Sequence, residues 1–193
     1  THIYTLIYNV TLDLSPVSTD GGDNVYTACG NGTPGNPQPG EGLYNRTILD
    51  TDNDAIPEEE DEVCGDLPYI THNKDAVMVT GPNANGTYTV MYTVEVMNLG
   101  GAPGAYDLVD TPNFDDDITI VSADYTTTNV VPAVAGGALS FINGNPNTLA
   151  DDISIAAGAI QTYKLTYNVR LDLSAASTDG GDNIYTACGT TTA

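Results

Sequence analysis

YKLTYNVRLDL, residues Tyr163–Leu173, decides how this chain folds. Tyr163, Leu165, Tyr167, Val169, Leu171 and Leu173 fall on one face, and Lys164, Thr166, Asn168, Arg170 and Asp172 on the other. A period of two with that contrast is a half-buried antiparallel strand. STDGGDN follows as turn chemistry, with glycine supplying positive φ, and Ile184–Cys188 predicts a returning strand.

The same stretch occurs twice. Residues Tyr4 to Gly30 and Tyr163 to Gly189 are identical at 21 of 27 positions, at a constant offset of 159 (Cys188 minus Cys29). A period of that length is too long for a solenoid repeat and fits a whole domain plus a linker. Residues 1–30 therefore read as the C-terminal strands of a preceding repeat, residues 31–70 as a Gly/Pro-rich acidic linker, and residues 71–193 as one β-sandwich repeat. The tail of a β-domain alone leaves open edges and bare apolar faces. Either a preceding repeat in a longer polypeptide completes it, or another subunit supplies the missing strands by strand addition. In a third reading the two copies adopt different structures within one monomer.

Working outward, Gly86–Asn98 alternates again, with Tyr88, Val90, Tyr92, Val94 and Val96 on one face. Tyr106–Val109, Ile118–Ala123, Ala138–Ile142 and Ile153–Ile155 predict shorter strands separated by Gly, Pro, Asn and Asp. Strands with turn signals every ~8–12 residues spell an all-β antiparallel sandwich. The run GTYTVMYTVEVMNLGGAPGAYDLVDTPNFDDDITIVSADY resembles the Ig-like "domain of unknown function eleven" tandem repeats of bacterial and archaeal surface proteins. Asn98, Gly100, Asp110, Gly158 and the Tyr163 strand occupy that pattern's places, and the resemblance spans roughly residues 73–189. It implies an Ig-like sandwich used as stalk or scaffold, and it carries no catalytic residues.

Residues 50–61 read DTDNDAIPEEED. Asp50, Asp52, Asp54, the Ile56 carbonyl, Glu58 and Asp61 stand at loop positions 1, 3, 5, 7, 9 and 12, a spacing that can wrap six oxygens round one calcium ion. The stretch resembles a thrombospondin type 3 calcium loop. Ala55 departs from the glycine that such calcium loops favour at the sharp turn. Nine of the 26 acids lie between Asp50 and Asp66, a density that is costly without a cation. Asp115, Asp116 and Asp117, and the turn acids Asp20, Asp23, Asp179 and Asp182, read as solvated loops before metal sites.

Against those 26 acids stand 4 basic residues, a net charge of −22. Phosphate binding needs Lys and Arg, so nucleic acid is excluded as a partner. No apolar run approaches the ~18 residues of a spanning helix, so membrane insertion is not expected. Cys29 and Cys64 bracket the linker and can close it as a disulfide, which leaves Cys188 unpaired within this chain; in an oxidising setting a leftover cysteine suggests a partner elsewhere. Asn31 and Asn45 are possible glycosylation acceptors in the connection. Lys74 and Asn168 are the pair to check for a side-chain crosslink, although Asn168 falls on the polar face of its strand. With two His and no nucleophile–base motif, the chain reads as no enzyme. The expectation is a structural repeat of an extracellular filament or cell-surface stalk, stiffened by calcium and a disulfide, whose partners are copies of itself in a linear polymer or tandem array. The alternative is an adhesin or ligand-binding module.

Overall fold

A computed structural model describes residues 1–17, 19, 22–30, 37–174 and 181–188, excepting the side chains of 76 and 77. Among these residues there are nine strands and no helix. The chain divides into two compact units: Thr1–Tyr69 with Gly100–Ala102, and Ile70–Leu99 with Pro103–Ala193.

The first unit is built on one antiparallel hairpin, β1 (Leu43–Leu49) and β2 (Glu59–Gly65), registered from Leu43 opposite Gly65 to Leu49 opposite Glu59. The stretch expected to be linker thus contains strands. Both are almost wholly exposed, so they lack the apolar alternation that reveals a half-buried strand. Cross-strand pairs hold them instead: Arg46 Nη1 lies 3.3 Å from Glu60 Oε2, and the Tyr44 hydroxyl donates to Glu62 Oε2 at 2.5 Å.

The second unit is the expected antiparallel sandwich. A five-stranded sheet runs β3 (Ile70–Thr80), β4 (Tyr88–Asn98), β9 (Ile160–Leu171), β6 (Ile118–Thr128), β7 (Gly137–Ala138). A two-stranded sheet pairs β5 (Gly104–Asp110) with β8 (Asn147–Ile155). The inner face of β4 offers Val90, Val94 and Val96, that of β9 offers Tyr163, Leu165, Tyr167 and Val169, and Leu108, Leu149 and Ile155 close the core from β5 and β8. Polar groups between Tyr106 and Tyr163 are paired. The Tyr106 hydroxyl meets both Gln161 Oε1 and, at 2.7 Å, the Tyr163 hydroxyl, while Gln161 Nε2 donates to Ser154 O at 2.9 Å.

The two copies of the repeat differ within this chain. Tyr163, Leu165, Tyr167 and Val169 are 0%, 0%, 1% and 6% exposed, in a strand flanked by β4 and β6. Their counterparts Tyr4, Leu6, Tyr8 and Val10 are 85%, 61%, 69% and 53% exposed. The strand expected over Tyr4–Leu14 is absent, and so is the returning strand expected over Ile184–Cys188. Strand geometry needs a neighbour to satisfy its backbone groups. β9 has two neighbours, and the first copy has neither counterpart among the described residues.

Candidate functional site

The acidic stretch forms the tip of the β1–β2 hairpin. Asp50 organises it: Oδ1 accepts the N–H groups of Asp52 at 3.2 Å and Asn53 at 2.6 Å, and Oδ2 accepts that of Ala55 at 3.0 Å. Asp52 Oδ1 takes the Asp54 N–H at 3.2 Å, Asp54 Oδ1 takes the Ile56 N–H at 2.8 Å, and Glu58 Oε2 takes the Thr51 N–H at 2.5 Å. The Thr51 donor holds the Glu58 carboxyl below its ordinary range. Ala55 sits at φ +68°, the left-handed turn where glycine is the usual residue. Oxygens of Asp50, Asp52, Asp54 and Glu58 lie within 4.8 Å of one another, a set that can hold a metal ion. Asp61, the sixth expected ligand, is not in that set. It belongs to β2, opposite Thr47, and its Oδ1 accepts the Glu62 N–H. Ile56 stays in the loop, its N–H committed to Asp54.

The base of the first unit is tied by the Cys29–Cys64 disulfide, with an S–S distance of 2.01 Å. Around it, the Tyr26 hydroxyl donates to Asp66 Oδ1 at 2.7 Å and accepts the Leu67 N–H at 2.8 Å, and the Cys29 N–H reaches the same Asp66 oxygen at 3.1 Å. The buried Glu41 carboxylate accepts N–H groups from Gly30 at 2.7 Å and Gln38 at 3.1 Å. Gly42 is required here: a Cβ on it would stand 2.6 Å from both Cys29 Sγ and Gly65 O. In the second copy the matching residues Tyr185 and Cys188 are exposed, and Cys188 is free.

A second acidic group lies in the sandwich unit, in the loop before β6. Oxygens of Asp115, Asp116 and Asp117 also lie within 4.8 Å of one another. Asp117 is fully buried, and burial holds its carboxyl above the ordinary range against the opposing pull of the Asn183 N–H. Sequence alone assigned this loop to solvent, because nothing in three consecutive aspartates marks the middle of a packed corner.

Asn45 falls on exposed strand β1 opposite Val63 and not in an irregular connection, while Asn31, Asp20 and Asp179 lie outside the described residues. Lys74 faces Asp110 instead of Asn168: its Nζ bonds Asp110 Oδ1 and stands 4.7 Å from the Tyr92 ring centroid. Asn168 accepts from Thr89 Oγ1 and donates to Ser122 Oγ, both at 2.8 Å. No helix of the described residues is long and apolar enough to cross a membrane. Compared with family models, with curated proteins and with solved structures, the chain matches none of them.

Proposed function

We propose that this chain is a segment of a tandem array, an extracellular filament or cell-surface stalk in which Ig-like sandwiches alternate with disulfide-tied hairpins. One observation carries the reading. A nearly identical sequence, with the same Tyr, Leu, Tyr and Val on its apolar face, is the central core strand of the sandwich in one copy and bare in the other. Burying one such side chain contributes about 1.5–3 kcal/mol, so four of them make completion by a neighbouring sandwich strongly favourable.

The clasp follows the same logic. Tyr26 and Cys29, at the end of the first copy, seat on the hairpin through Asp66 and Cys64. Tyr185 and Cys188 carry the same groups at the end of the second. Each sandwich thus ends in a cysteine that bonds the hairpin of the next module, and the hairpin-tip carboxylates hold a calcium ion that stiffens the connection. The action is mechanical: buried faces make rigid beads, while disulfide and cation limit bending.

Electron microscopy of the natively secreted material, in calcium and then in excess chelator, tests this. Ordered fibres with a constant axial repeat, loosened by chelator, are expected. Discrete monomers indifferent to chelator would sink the array and leave saturable ligand binding as the remaining role.

A further inference from the structure

We propose a second cation site, on the sandwich unit itself: the carboxylates of Asp115, Asp116 and Asp117 hold one calcium ion that pins residues 181–188 to the loop before β6.

Asp117 is 0% exposed, and among the described residues its Oδ2 has no hydrogen-bond partner. A buried carboxylate oxygen with nothing to accept from is costly, and a cation or a proton must satisfy it. Asp116 and Asp182 add negative charge at the same carboxylate. The two ion pairs among the described residues, Arg46–Glu60 and Lys74–Asp110, lie elsewhere.

The remaining oxygens are held in position by the backbone. Asp117 Oδ1 accepts the Asn183 N–H at 3.0 Å, Asp115 Oδ2 accepts the Thr186 N–H at 2.8 Å, and Asp115 Oδ1 accepts the Asp117 N–H at 3.2 Å. The approach is close enough to exclude a side chain at Gly181, where a Cβ would stand 1.9 Å from Asp117 Oδ1 and 2.9 Å from the Asp116 carbonyl oxygen. Three carboxylates gathered on one loop are an oxygen set of the kind calcium takes, since it accepts six to eight ligands in irregular geometry. The returning segment carries the cysteine of the proposed clasp, so an ion here would fix where that cysteine points.

Calorimetric titration of the full, chelator-stripped chain with calcium chloride tests the site. Asp116→Asn, at an exposed position, leaves the fold intact, as its circular dichroism and melting in chelator will report. Wild type is expected to bind at two classes of site. Asp116→Asn weakens one of them about tenfold, in line with the dependence of calcium affinity on ligand charge. Asp50→Asn removes the other class and leaves the first untouched, which separates this inference from the hairpin-tip reading. Calcium binding that is identical in wild type and Asp116→Asn would overturn the proposal, as would no binding at all. Asp117 is then simply protonated, and Asp117→Asn melts at the same temperature or higher with no response to calcium.

Discussion

Ala55 holds a left-handed conformation at the hairpin tip, at φ +68°, in a turn closed by three backbone donors onto Asp50. That conformation disfavours any residue with a Cβ by about 1–2 kcal/mol. Glycine relieves it but gains entropy in the unfolded chain. Ala55→Gly is therefore expected to raise stability by about 1 kcal/mol, read by chemical denaturation. Glu58 sets the pH response of the same loop. Its carboxyl is lowered in the folded state, so its contribution is fully present above the ordinary carboxylate range and is lost as pH falls through the lowered value. The Thr51 amide resonance should move in that acidic window, and Glu58→Gln should abolish the movement. Within the sandwich, Tyr167→Phe removes the 2.6 Å donor to Asp110 Oδ2 and leaves that buried oxygen unsatisfied. A loss of about 1–3 kcal/mol in unfolding free energy is expected.

At the scale of the element, burial and not sequence sets the worth of a repeated strand. Leu165 is wholly buried between β4 and β6, so Leu165→Ala is expected to cost about 2–5 kcal/mol. Leu6 is the same residue in the same motif but exposed, and Leu6→Ala in the isolated chain should stay within about 0.5 kcal/mol. Denaturation of both variants measures the contrast, and equal losses would place the first copy in a core. The strands legible in the sequence were those with one wet face and one dry one: β4 and β9 declare themselves by Val90–Val96 and Tyr163–Val169. The β1–β2 hairpin was not legible. GluGluAspGluValCysGly reads as a charge run, and its strand character comes from a partner strand with matching polar side chains, not from a core. The reverse error fell on Tyr4–Leu14 and Ile184–Cys188, where strand-forming residues lack neighbours to pair with. Of the acidic clusters, the alternate aspartates in one loop were readable from spacing, whereas the Asp115–Asp117 corner depends on a segment some 66 residues away that supplies its backbone donors.

For the whole molecule, a net charge of −22 makes compaction and assembly sensitive to cations. Sodium chloride screens the surface generally, while calcium held at the proposed loops would add binding energy of its own. Millimolar calcium should therefore raise the melting temperature more than sodium chloride of equal ionic strength. Equal effects would mean that the acids act only as a diffuse surface field. The array account needs something stronger than solubility: the first copy of the repeat must become a core strand when modules join. Amide hydrogen exchange over Tyr4–Leu14 measures this directly, in the isolated chain and in natively assembled material. The account predicts fast exchange in the isolated chain and, in the assembly, protection comparable to that of Tyr163–Leu171. Fast exchange at Tyr4–Leu14 in both would contradict it.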